Sequence, residues 1–136
     1  MEERALKMLG LMRKASALVM GEENASDSVL AGKARLLLIP SDGENKKKER
    51  AKKYVDGRSC ILVELPYEEK IISEAVGVGR CTMAAVTDLG FADAFMKLLV
   101  EKDPDRYRQP AEDIHLKLSR VNQRKTEKPG KKARIK

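Results

Sequence analysis

The four residues Leu36-Leu37-Leu38-Ile39 carry no polar alternation, and they constrain the chain more than any other stretch. A strand with one face in water alternates apolar and polar side chains, so this unbroken aliphatic run predicts a strand covered on both faces. Such a strand needs helices on either side of its sheet. Its surroundings agree. Leu18-Val19-Met20 is a short strand, Gly21 permits a tight turn, residues 22–30 form a helix that Gly32 stops, and Pro40 ends the aliphatic run. The loops 21–24 and 40–43 each follow a strand and precede a helix. Both are expected at one edge of the sheet, where helix N-termini present unpaired N–H groups to a ligand.

The same alternation runs through the rest of the first hundred residues. Ala5, Met8, Leu9 and Met12 stripe a helix over 2–14, closed by Arg13 and Lys14, where cations suit the helix dipole. Residues 44–55 form a strongly basic helix with only Ala51, Tyr54 and Val55 to bury. Residues 60–63 give a third strand, and Pro66 opens a helix with Ile71, Ile72, Ala75 and Val76 facing inward. A glycine loop at 77–80 leads to a fourth strand over 82–86, and Thr87 or Asp88 caps a helix carrying Phe91, Phe95, Leu98 and Leu99. The pattern predicts an α/β fold, a three-layer α/β/α sandwich around a small four-stranded mixed sheet, over residues 1–102. Residues 103–136 read as a separate, basic and largely flexible tail. Ile114, Leu118 and Val121 stripe at most a short helix after Pro110, and residues 123–136 carry seven bases against one acid.

Charge points to the kind of partner. Residues 1–100 hold 16 bases and 15 acids, a sum of +1, whereas residues 101–136 hold 12 and 6, a sum of +6, giving +7 in all. A polyanion is the natural ligand. Lys46 and Lys47, in the run that continues through Lys48, Arg50, Lys52 and Lys53, lie beside the proposed edge and are candidates for phosphate contact; a merely solvated face is the alternative. Catalytic chemistry finds no foothold. His115 is the only histidine and falls in the tail, Cys60 and Cys81 lack C-x-x-C spacing and read as buried thiols, and Glu68, Glu69 and Glu74 fit a solvated helix face. Gly77-Val78-Gly79 follows a helix and precedes a strand, the reverse of a dinucleotide loop. No cofactor is expected. No segment approaches the roughly 18 apolar residues of a membrane span, and the acidic start Met1-Glu2-Glu3-Arg4 is unlike a targeting signal, so a cytoplasmic monomer is expected.

Three motifs, LGLMRKASALVMGEE, GKARLLLIPSD and EAVGVGRCTMAAVTDLGFA, together resemble the kink-turn-binding ribosomal proteins of the L-seven-Ae type, and most the bacterial YlxQ-like branch. The likeness runs over about residues 4–99 in one register and leaves the tail outside. It implies the same sandwich, an RNA-binding role toward ribosomal or other structured RNA, and ribosomal proteins as neighbours. It also implies that RNA is met by the stretch Gly21, Glu22, Glu23, Asn24 and Asp27 and by a second loop containing Gly79 and Arg80. The archaeal motif is Gly-x-Asn-Glu-x-x-Lys. Here Gly21 matches, the Asn and Glu positions are exchanged in type as Glu23 and Asn24, and Asp27 stands at the lysine position, where a carboxylate would repel phosphate. The acids of this stretch also admit a plainer role, complementing a helix N-terminus. A second function follows from that role: a protein-interaction module of the same fold, its acidic helix start meeting a basic partner and its tail a nonspecific anchor.

Overall fold

The computed structural model describes residues 3–77 and 82–135, with side chains as far as Gln123. In chain order the elements are α1 (Arg4–Lys14), β1 (Leu18–Met20), α2 (Glu22–Leu30), β2 (Leu36–Ile39), α3 (Asn45–Val55), β3 (Ile61–Glu64), α4 (Glu69–Val76), β4 (Ala84–Val86), α5 (Leu89–Lys102) and α6 (Pro104–Ile135). The strands lie in the order β1-β4-β2-β3; β4 is antiparallel to both neighbours and β2 is parallel to β3. Strands β1, β2 and β3 therefore point the same way. Their carboxyl ends share one edge with the amino end of β4.

The aliphatic run behaves as its composition requires. Leu36, Leu37, Leu38 and Ile39 are all buried, and alternate residues enter opposite cores. Leu36 and Leu38 pack with α1, α4, α5 and the start of α6, whereas Leu37 and Ile39 pack with Ala25 and Val29 of α2 and Ala51 of α3. Backbone hydrogen bonding also follows the local sequence. Asp88 caps α5 through a bond from the Phe91 N–H at 2.9 Å, and Gly32 stops α2 with φ +77°. One inward assignment fails: Ile71 faces outward at 38% exposure, because a helix of eight residues offers the core a narrow stripe that Ile72, Ser73 and Val76 already fill. Cys60 is buried, and burial pushes its thiol up to about 11, against the weaker pull of Lys117; Cys81 lies outside the described residues.

The largest departure from expectation is the chain after Asp103. Pro104 opens α6 rather than a flexible tail, and Tyr107 and Ile114 are buried in the core with Ala111, Leu118 and Val121 packed against it. These five positions are spaced by four and three residues, a stripe that finds its partner surface on α5. Pro110 sits inside this stripe and suggests an interruption, since it lacks the N–H that would bond the Arg106 carbonyl. A proline in a helix interior costs about 3 kcal/mol. Burying Tyr107 and Ile114 contributes about 1.5 to 3 kcal/mol each, which together matches or exceeds that cost.

The same packing corrects the view of His115. Its Nδ1 lies 3.0 Å from Oδ1 of the buried Asp93 on α5, whose Oδ2 accepts from Lys97 at 3.0 Å. The histidine thus helps to hold α6 against α5.

Candidate nucleic-acid interface

The carboxyl edge of the sheet is assembled around Gly21. This residue has φ +91° and ψ 150°, a conformation accessible in practice to glycine alone, and it turns the chain directly from β1 into α2. Its N–H donates to the Met83 carbonyl at 2.9 Å, and its own carbonyl accepts the first bond of α2, from Ala25 at 2.9 Å. The segment leading into β4 is thereby tied to the turn that opens α2. A methyl at Gly21 would meet open space, so Gly21→Ala is disfavoured by backbone strain alone. That substitution is expected to destabilise the fold by about 1 to 3 kcal/mol in urea titration.

The residues that open α2 divide into two sets. Glu22 is held inside the protein: its carboxylate accepts from Arg50 Nε at 2.5 Å, from Arg50 Nη2 at 2.8 Å and from the Tyr54 hydroxyl at 2.7 Å. The guanidinium of Arg50 is the main reason its carboxyl sits at about 2, with Tyr54 and the charge of Lys47 adding and partial burial opposing. Glu22 is thus a strut between α2 and α3. Glu23 and Asp27 are exposed and lie one turn apart on the same face of α2. Asn24 donates from Nδ2 to the Met20 carbonyl at 3.2 Å, which bolts the first turn of α2 to the end of β1.

A lowered carboxyl pKa fixes the sign of a pH effect. Because the folded value of about 2 lies below the ordinary 4.5, the Glu22 contribution is complete above about pH 5 and is lost as pH falls toward 2. Allowing for the partial exposure of the pair, Glu22→Gln is expected to cost about 1 to 2 kcal/mol at neutral pH. The gap between wild-type and variant urea midpoints should close on acidification. A constant gap would remove the charge from the explanation.

Helix α3 is less available to phosphate than its composition suggests. Lys47 lies 3.9 Å from Glu44, Lys48 3.4 Å from Glu64, and Lys52 3.3 Å from Glu49, while Arg50 holds Glu22. Lys46, in the first turn of α3 at the carboxyl edge, is exposed and has no ion pair among the described residues. The adjoining loop is ordered by two bonds, Ser41 N–H to the Tyr67 carbonyl and Glu69 N–H to Asp42 Oδ1, at 2.9 and 2.8 Å. Gly79 and Arg80 lie outside the described residues, between Gly77 and Thr82. On the near side of that segment Arg13 donates from Nη1 to the Val76 carbonyl at 2.7 Å, so this end-of-helix cation serves the last turn of α4. The pairings of Glu22 with Arg50 and Tyr54 escape a sequence reading. They join residues about thirty positions apart, and the sole local trace is that Arg50 and Tyr54 share a face of α3.

No protein-family model matches the chain. Among curated proteins it is similar to the RNA-binding protein YlxQ of Bacillus subtilis (strain 168), with 29% identity over 96 residues, covering 68% of this chain and 91% of that protein. Its fold is shared with a protein of unknown function from Bacillus halodurans, at TM-score 0.66 and 24% identity over 71% of this chain and 97% of that one. It is shared also with a 15.5 kDa RNA-binding protein of Giardia lamblia, at TM-score 0.54 and 18% identity over 74% and 86% of the two chains. In sequence the chain is thus similar to a YlxQ protein over about two thirds of its length, and it shares its fold with these two solved structures.

Proposed function

We propose that the protein binds structured RNA at the carboxyl edge of its sheet, as a monomeric cytoplasmic binding protein rather than an enzyme. The observation that carries the reading is the bond from Gly21 N–H to the Met83 carbonyl. It joins the turn that opens α2 to Met83, which follows the loop of Gly79 and Arg80 in sequence; the resemblance implies RNA contact through that turn and that loop. The similarity to a protein named for RNA binding supports the same partner. In this reading the first N–H groups of α2 receive backbone phosphate, and Glu23 and Asn24 face base edges. Lys46, with Lys47 behind it, and Arg80 with Gly79 flank the nucleic acid with positive charge, while Glu22 acts by positioning α2. Kink-turn stems in ribosomal or other structured RNA are the substrate the resemblance favours.

A second reading draws support from Glu23 and Asp27, which are exposed on α2 without ion pairs among the described residues. It makes the same face a dock for a basic protein segment. Titration of the purified protein against a kink-turn stem and a plain duplex of equal length separates the two. Tighter binding to the kinked stem, weakened by Lys46→Glu, supports the RNA edge. Failure to bind either RNA at low salt overturns it in favour of the protein dock.

A further inference from the structure

The opposite end of the parallel strand pair carries a second concentration of positive charge. The loop entering β2 supplies Lys33 and Arg35, and the loop entering β3 supplies Arg58; the Ile61 N–H donates to the Arg35 carbonyl at 3.1 Å, which makes these loops immediate neighbours. Helix α6 crosses the same end. Its Tyr107 hydroxyl donates to the Glu64 carbonyl, at the far end of β3, at 2.6 Å, and ten residues later Lys117 Nζ donates to the Ser59 carbonyl. The helix therefore runs along β3 from its carboxyl end to its amino end and brings Lys117 to the loop before β3, with Arg120 three residues further along the same helix.

The grouping gains nothing from internal pairing. Lys33, Arg35, Arg58 and Arg120 have no ion pair among the described residues, and the buried Nε of Arg35 has no hydrogen-bond partner there. Burial first, and then the charges of Arg35 and Arg120, lower the pKa of Lys117; Asp113 and Cys60 oppose them. The nearby carboxylates are Asp56, in the turn before Arg58, and Asp113, which accepts from Gln109 Nε2 at 2.9 Å. Like charges gathered from three separate elements repel one another in the free protein, and that repulsion is relieved by a polyanion. Past Arg120, α6 continues to Ile135 through the stretch in which residues 123–136 hold seven bases and one acid.

We propose that Lys33, Arg35, Arg58, Lys117 and Arg120 form a second nucleic-acid surface, which takes the phosphate backbone of an RNA segment other than the one at the Gly21 edge. The two surfaces sit at opposite ends of β2 and β3, so one stretch of backbone does not serve both. The second surface reads charge and not sequence, because its ammonium and guanidinium groups outnumber the neighbouring carboxylates of Asp56 and Asp113, and no Phe or Tyr side chain among the described residues is exposed to stack on bases. Its ligand is the backbone of a helical arm in a folded RNA, and the protein bridges two arms.

The test uses the full chain carrying Lys33→Gln, Arg58→Gln and Arg120→Gln, three exposed positions whose exchange leaves the core intact. Binding to a plain RNA duplex is measured at two salt concentrations by fluorescence anisotropy, with melting temperature as the check on folding. The expected result is a roughly tenfold to hundredfold loss of affinity at low salt, with the slope of log K against log salt shallower by about 2 to 3, near 0.9 for each phosphate contact removed. Loss in this variant supports the second surface whether or not Lys46→Glu also binds less well, so the two surfaces stand or fall separately. A folded variant with wild-type affinity and salt slope overturns the proposal. Binding of the wild type to phosphatidylglycerol vesicles, with none to the duplex, overturns it as well and points to a lipid surface.

Discussion

Replacing Tyr107 by Ala is expected to lower the stability of the whole domain by about 3 to 5 kcal/mol, the range for removing a large aromatic side chain from a core. In a chain of this size that corresponds to a melting temperature lower by about 10 to 20 °C. Tyr107 is 2% exposed, belongs to the main core on the helix that docks on α5, and places its hydroxyl on the Glu64 carbonyl at the end of the edge strand β3. The ring and the hydroxyl are separable. Tyr107→Phe keeps the packing and removes only the bond, for about 1 to 2 kcal/mol, part of it from leaving a half-buried carbonyl unpaired. Deleting residues 123–136 is the counterpart: the described contacts of α6 with the core end at Val121, so the melting temperature should stay within about 2 °C of wild type. A Tyr107→Ala variant that melts like wild type would show that α6 docks without contributing to stability. A large drop on deleting 123–136 would extend the docked part of the helix beyond Val121.

Asp27→Lys is expected to raise affinity for a kink-turn stem by one to two decades. Asp27 is exposed one turn beyond Glu23 on α2, at the position where the resembling archaeal motif has lysine. In the proposed complex a carboxylate there repels phosphate, and lysine attracts it. The two changes together amount to ~1 to 3 kcal/mol at an effective dielectric between protein surface and water. The exchange also removes the like-charge pair Glu23/Asp27 at i,i+4 and sets an acid and a base there instead, so the helix itself is stabilised by a few tenths of a kcal/mol. Paired titrations of wild type and variant against a kink-turn stem and a plain duplex, each at two salt concentrations, check this. The gain should be larger on the kinked stem and should shrink at high salt. Equal gains on both RNAs would reduce the effect to general basicity, and no gain on either would move this face of α2 to the protein-docking reading.

The framework was written into short stretches of sequence. The aliphatic run of β2 demanded cover on both faces, the glycines at 21 and 32 marked the ends of α2, and Thr87 or Asp88 offered a cap for α5, a place that Asp88 takes. Each depends on contacts within a few residues or on burial that any layered fold supplies, so local pattern suffices. What α6 does was not legible. Pro110 interrupts the visible stripe, and the burial of Tyr107 goes with the docking of α6 on α5 and with a bond to Glu64 of β3, 43 residues earlier. The charges were equally opaque. Composition counted six bases on α3, but it took the tertiary structure to set Arg50 on Glu22, Lys48 on Glu64 and Lys47 near Glu44, and so to leave Lys46 as the cation at the edge. Secondary structure and layering follow from local periodicity. Which charged groups face each other, and which stay free for a partner, follows from long-range packing that a sequence pattern does not encode.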